Sequence, residues 1–410
     1  MTSIEVDTPA PAPPPTEDEP HGLQARIISN IRSGNLGSWP VIIALGIIVL
    51  VFSQTASNFW SPVNFNNIIV QMAGTTLLAY GITFVLLIGE IDLSIAYVSG
   101  VCGVAVAEFS LPGSGHEYPA IVAMAIAVLI GVAIGAFQGS VVALIGVPSF
   151  VVTLAGFQIW QGVILKSIPQ GVILIQSDLI NNTAGYFFSD AAGWIIAAVV
   201  SIAYLGSELT GALSERRHQV AIRNPVMFGI KLVGVPILSF LTVEICNRDR
   251  GVPFALLLVT AFLVIWTYVA KRTTFGRHVY AVGGNAEAAR RAGINVPRIK
   301  ILVFMISGGM AGIGGIVLAA RLNSANLNQG GGTLLIDAIS AAVIGGTSLF
   351  GGRGELRNAL FGALVIATIA NGLNTLGYSS GVIFIVTGVI LLLAVTLDTV
   401  ARRLQTKSGR

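Results

Sequence analysis

Residues 299–320, Ile299-Lys-Ile-Leu-Val-Phe-Met-Ile-Ser-Gly-Gly-Met-Ala-Gly-Ile-Gly-Gly-Ile-Val-Leu-Ala-Ala320, carry a single charge, Lys300, in the first turn. As a helix rising 1.5 Å per residue the stretch covers about 33 Å, enough to cross a hydrocarbon core of about 30 Å. Gly308 and Gly312, four residues apart, give that helix a face on which a second backbone can lie close. The same glycines do not read as a phosphate loop, which needs a strand before it and a helix opening on it.

Working outward, the whole chain repeats this composition. Of its 410 residues 54% are hydrophobic and 10% charged, where a soluble domain is roughly a quarter charged. Eleven further apolar runs fall at residues 40–53, 67–88, 93–110, 119–145, 149–165, 191–206, 226–245, 253–270, 333–350, 358–376 and 382–396. The fold class is therefore an all-α membrane protein, a polytopic bundle of about 10–12 transmembrane segments. Several runs are shorter than a full span, which suits tilted, broken or re-entrant helices. Gly146-Val147-Pro148 marks a break between two of them.

Placing the N-terminus in the cytoplasm puts eighteen Lys and Arg on inside loops and four outside, namely Lys166, Arg248, Arg250 and Arg321. With Lys231 inside a run, this accounts for all 23 cations, and the bias predicts both termini in the cytoplasm. The net charge of +4 thus reports membrane orientation; no basic stripe with interleaved aromatics offers itself to nucleic acid. Residues 1–38 read as a disordered cytoplasmic tail, rich in Pro and acids at its start, residues 39–398 as the transmembrane domain, and residues 399–410 as a cytoplasmic C-terminal tail.

Enzyme chemistry finds little to work with. Cys102 and Cys246 read as packing residues, and His21, His116, His218 and His278 sit in loops or tails without a paired pattern. No catalytic residue, metal site or cofactor is expected. GxxxxGK[ST] occurs nowhere, so the chain does not hydrolyse ATP by the P-loop route.

Three groups of residues carry candidate function. Within the inside loop 271–300, Asn285 can cap a helix near residues 286–292, Glu287 lies in its first turn, Arg290 and Arg291 in its last, and Gly293 stops it. Too short and polar to cross, the segment lies on the cytoplasmic surface, either against anionic membrane lipid or docked in a partner's cleft through small Ala286 and Ala289. Glu90 and Asp92 form the second group. They fall at a helix junction where a solvated turn is cheap, and Asp92 or Ser94 can cap the next helix. Amides form the third, with Gln71, Gln138, Asn323, Asn326, Asn328, Gln329, Asn371 and Asn374 within or beside the apolar runs. They suit hydroxyl-rich solutes or hydrogen bonding between helices.

GEIDLS from Gly89, PSFVVTLAG from Pro148, GGNAEAARRAGI from Gly283, RLNSANLNQGGGTLLIDAISAAVIGGTSLFGG from Arg321 and ILLLAVTLD ending at Asp398 together resemble the monosaccharide ABC permeases, the ribose, galactose and xylose importers of bacterial inner membranes. The resemblance runs over about residues 64–403. It implies a homodimer of permeases, two cytoplasmic ATP-binding subunits and an external solute-binding protein. It also implies that the surface helix docks on the ATPase, which selects Gly284, Asn285, Glu287, Ala288, Arg290, Arg291 and Gly293 as coupling residues. Gln71, Glu90, Asp92, Ser94, Asn323, Asn326, Asn371 and Asn374 stand as pathway or gate candidates. Glu90 replaces a Gly of most sugar members and looks like the xylose-type branch, while residues 191–253 form a longer stretch than in ribose-type relatives. Inositol, nucleoside, autoinducer and branched-chain amino acid permeases are the alternatives within the family. An ion-coupled secondary transporter is the alternative outside it, although acids are almost absent from the middle of the runs.

Overall fold

The computed structural model describes residues 39–217 and 225–407. The tail read over residues 1–38, together with His218, Arg223 and residues 408–410, lies outside the described residues. The chain divides into a body, Ser38–Asp398, and a small unit of Met1–Gly37 with Thr399–Arg410, of which only the last helical turns are described.

The helices of the body are α1 Trp39–Thr55, α2 Pro62–Leu87, α3 Ile95–Phe109, α4 Ala120–Ser140, α5 Ser149–Ser167, α6 Asp178–Gly185, α7 Asp190–Arg217, α8 Pro225–Asn247, α9 Phe254–Arg272, α10 Thr274–Gly284, α11 Ala286–Arg291, α12 Val296–Arg321, α13 Leu334–Ile344, α14 Leu356–Thr375 and α15, which starts at Ser380 and runs to Lys407. Among the described residues eight helices are long and apolar enough to cross a membrane, and four shorter apolar ones accompany them. Every one of the twelve apolar runs read from the sequence falls on one of these. Several boundaries move: α2 starts at Pro62 rather than 67, and α15 runs on to Lys407, past the run ending at 396. Helix α7 continues through Arg217, past the run ending at 206, and α13 ends at Ile344, so 345–350 is loop rather than span.

Helices α2 and α12 form the centre, with Tyr80, Phe84 and Phe304 fully buried. Their composition explains their position, because α12 carries almost no side-chain bulk on one face. A Cβ on Gly308 would lie 2.0 Å from the Gly131 carbonyl oxygen of α4, and a Cβ on Gly131 would lie 2.2 Å from that of Gly308. Only two glycines permit this approach, and the gain is dispersion over the whole crossing, the force that remains where lipid supplies no hydrophobic drive. The small-residue face of Gly308 and Gly312 is thus a packing face, as its spacing predicts.

A β-ribbon and the helices α6 and α10 have no counterpart in the sequence reading. A two-stranded antiparallel ribbon pairs β1, Val172–Leu174, with β2, Ser324–Asn326, in the register Val172↔Asn326. Helix α10 converts much of the 271–300 loop into regular structure, starting at Thr273, whose hydroxyl accepts from the Gly276 amide at 3.2 Å.

Candidate functional site

At one end of the bundle the last turn of α2, the start of α12, helix α10 and the loop before α14 converge. The Gly352 amide donates to the Leu87 carbonyl at 2.9 Å, and a Cβ on Gly283 would fall 1.7 Å from that same oxygen. The Tyr280 hydroxyl donates to the Gly354 carbonyl at 2.8 Å. Lys271 pairs with Glu355 at 2.8 Å, and Glu90 pairs with Lys300 in a contact that neither partner exposes by more than a quarter. Glu355 feels partial burial, which pushes its pKa up, but the Lys271 hydrogen bond and the Arg357 and Lys271 charges outweigh it and hold the carboxyl below the ordinary glutamate range.

The turn after Glu90 is the most constrained part of this end. Its backbone is held by α5, where Ser149 Oγ accepts from the Ile91 amide at 3.1 Å and Thr153 Oγ1 donates to the Ile91 carbonyl at 3.2 Å. Asp92 is buried, which corrects the expectation of a solvated turn. Its Oδ1 accepts from the Ser94 amide at 2.9 Å and from Ser94 Oγ at 2.7 Å, and its Oδ2 from Ser307 Oγ of α12 at 2.7 Å. Burial pushes the Asp92 pKa up, against the downward pull of these donors. Ser94 Oγ also lies 3.0 Å from Gln138 Oε1, while the Gln138 Nε2 has no partner. One hydroxyl proton serves one acceptor, so an amide turned by half a revolution completes a chain in which Gln138 donates to Ser94 and Ser94 to Asp92. Helices α3, α4, α5 and α12 thus meet on six consecutive residues, 89–94.

The surface helix α11 projects from this end. Asn285 ends α10, its amide donating to the Ala281 carbonyl at 3.1 Å, and starts α11, its Oδ1 accepting from the Ala288 amide at 2.9 Å. Gly293, at φ +84°, closes the helix in a Schellman motif, with Gly293 N–H to Arg290 O and Ile294 N–H to Ala289 O both at 3.0 Å. Glu287 reaches Arg290 at 3.3 Å and Arg291 at 3.2 Å, pairs worth a few tenths of a kcal/mol at most on an exposed helix. Gly284, Asn285, Glu287, Ala288, Arg290, Arg291 and Gly293 are all exposed. Ala289 is not. It joins the hydrophobic core with Ala286 packed beside it, so the small face expected to enter a partner's cleft anchors α11 to its own body, and the charged face is the one left open.

The pathway candidates do not assemble into one site. Glu90, Asp92 and Ser94 spend their polar groups on the junction just described. Gln71 is half-buried on α2. Asn323 is exposed at φ +48° after α12 and Asn326 is in β2. Asn371 is buried with its Oδ1 unpartnered, and Asn374 is exposed near the end of α14. Because α12 runs about 39 Å from its start beside Glu90, Asn323 lies at the opposite end of the bundle. The sequence reading missed Ser149, Thr153, Ser307 and Lys300 as partners of the junction. Their signal was spacing: the two hydroxyls stand four residues apart after Pro148, and Lys300 and Ser307 seven apart, so each pair shares a helix face.

Comparison with known proteins supplies the remaining finding. Residues 64–395 match the family model described as branched-chain amino acid transport system / permease component. The xylose transport system permease protein XylH of Escherichia coli (strain K12) is 36% identical over 381 residues, covering 92% of this chain and 95% of that protein. Its Haemophilus influenzae namesake is 34% identical over 377 residues, covering 90% and 98%. The ribose import permease protein RbsC of E. coli (strain K12) is 34% identical over 358 residues, covering 87% and 92%. No solved structure is significantly similar to the chain.

Proposed function

From the fact that the chain belongs to the permease-component family of branched-chain amino acid transport systems, we propose that it is the membrane-spanning subunit of an ABC-type importer for a monosaccharide, with xylose the favoured solute. The relatives named for xylose and for ribose both handle aldopentoses, which supports that class of solute first and xylose second. The subunit works in a bacterial inner membrane as one of two copies. An external solute-binding protein delivers the sugar, and a cytoplasmic ATP-binding subunit supplies the energy that this chain, with no P-loop motif, cannot generate.

One observation carries the coupling. Helix α11 is stopped at both ends, anchored through Ala289, and turns Glu287, Arg290 and Arg291 outward at the end where α2, α10 and α12 meet. A rigid charged knob of this kind suits a cleft on the ATPase, and Gly284, Asn285, Ala288 and Gly293 shape its rim. Residues 271–300 are then the coupling segment. With α11 in the cytoplasm, both termini are cytoplasmic, and residues 1–38 and 399–410 are tails on that side.

The test uses the whole transporter in proteoliposomes loaded with ATP, with labelled xylose and ribose outside. Xylose uptake is expected to exceed ribose uptake. Arg290→Glu with Arg291→Glu should insert normally yet leave ATP hydrolysis unconnected to uptake; normal uptake in that variant removes the docking role. Uptake by this chain alone in a proton or sodium gradient removes the importer reading and favours a secondary transporter.

A further inference from the structure

Helices α1, α2, α8 and α14, with Leu256 of α9, line a groove of about 650 Å³. Its walls are apolar, with Val49, Phe65, Met72, Leu238 and Leu364 among them. Arg248 and Trp60 line its mouth, one at the end of α8 and the other just before α2, with 66% of the Arg248 side chain exposed and 67% of Trp60. The mouth is at the end of the spans, because Asn66 Nδ2, one turn into α2, donates to the Cys246 carbonyl at the end of α8. From that level the lining runs inward to Met72 on α2 and Leu238 on α8 and stops. Ten residues of helix on either wall correspond to about 15 Å, half of a hydrocarbon core of about 30 Å.

That depth decides between occupants. A helix of another protein, or of a second copy, needs a face that continues across the membrane, whereas a groove one leaflet deep matches a single acyl chain. The mouth supplies the other half of the recognition. Arg248 engages Glu244 through Nε at 2.8 Å and Nη2 at 2.7 Å, which holds the guanidinium at the lip, and a guanidinium has five N–H donors. A phosphodiester is the anion whose geometry it pairs with best. The indole of Trp60 belongs at the same depth, where aromatic rings with one polar group settle between headgroups and chains.

We propose that this groove is a binding site for one phospholipid of the leaflet next to the α8 C-terminus, its phosphodiester on Arg248 and one acyl chain between α2 and α8. The site is separate from the coupling helix and from the junction around Asp92. The lipid adds to the direct contacts between α2 and α8, such as that of Asn66 with Cys246.

The full chain in nanodiscs of phosphatidylethanolamine with phosphatidylglycerol, released into a mild detergent and analysed by native mass spectrometry, tests the proposal. The unaltered chain should retain a phospholipid, as should Val264→Trp, a change at an exposed site on α9 outside the groove. Retention should fall about tenfold in Arg248→Glu, the loss of one charge-assisted contact, and vanish in Leu238→Trp, which fills the groove from an exposed position. Equal retention in all four chains, or retention of detergent alone, overturns it. Leu238→Cys supplies a second readout. Disulfide-linked dimers of that variant in intact membranes would put a second copy in the groove and also overturn the proposal, whereas protection of the thiol by lipid, without dimers, supports it.

Discussion

Ser307, in the glycine-rich centre of α12, donates its hydroxyl to Asp92 Oδ2 at 2.7 Å, across 215 residues of chain. Neither group has water to fall back on, since Ser307 is fully buried and Asp92 nearly so. Removing the donor leaves a buried carboxylate oxygen without that hydrogen bond, at a cost of about 1–3 kcal/mol. Ser307→Ala should lower the thermal unfolding midpoint, while Asp92→Asn with its shape kept should cost less than Asp92→Leu; an unchanged midpoint in Ser307→Ala would show that the bond contributes nothing.

Contact between α4 and α12 makes a graded prediction. Gly308→Ala places a Cβ 2.0 Å from a backbone oxygen and should abolish accumulation of folded protein in the membrane. Gly312→Ala meets the Val128 Cα at 2.9 Å and should be milder. Gly309→Ala meets only the Val132 Cγ2 at 3.1 Å, a side-chain methyl that can yield, and should be tolerated. The order of detergent-stable protein recovered from equal expression checks the series.

Caps of α11 can be loosened without touching its charges. Asn285→Ala removes the acceptor for the Ala288 amide and should cost about 1 kcal/mol of local stability. Amide hydrogen exchange in residues 286–292 should quicken while α12 stays protected. Uniform protection across both helices would mean that packing through Ala289, not the cap, fixes the helix.

For Glu90 and Lys300 the informative measurement is a double-mutant cycle with Glu90→Gln and Lys300→Met. The pair is mostly shielded from water, so a coupling of about 0.5–3 kcal/mol is expected. Additive losses of stability would place the two charges in solvent.

Acid should weaken the same end of the bundle through Glu355. Its folded pKa lies below the unfolded one, so its contribution is complete above the unfolded carboxylate value and is lost as pH falls through the folded value. Between neutral pH and the acid side of that window, the unfolding midpoint of the unaltered chain should therefore fall further than that of Glu355→Gln. Parallel acid profiles would remove the role of the Lys271 pair.

Much of this molecule is written in periodicity. Long apolar runs such as 67–88 became helices because lipid leaves the backbone no other partner than itself, and the four-residue spacing of Gly308 and Gly312 foretold a close helix contact, though not that α4 makes it. Capping chemistry was equally legible in Asn285 and Gly293, since both act on amides a few residues away. What escaped was whatever depends on residues distant in the chain. Nothing near Asp92 announces Ser307, and nothing near Asn326 announces Val172, so a buried carboxylate read as a solvated turn and a ribbon strand read as an amide cluster. Ala289 failed for the opposite reason: a small residue fits equally well against a partner or against its own core, and only the packed chain chooses.

Only residues 292–295 separate the surface helix α11 from the central helix α12. So short a joint holds little slack, and its Schellman stop uses two of those four amides or carbonyls already. Helix α12 then acts as a lever some 39 Å long, pinned at Lys300 and Ser307 and carrying β2 close behind its far tip. A shift of α11 would therefore reach the start of α12 with little loss, and α12 continues as one unbroken helix to within three residues of β2.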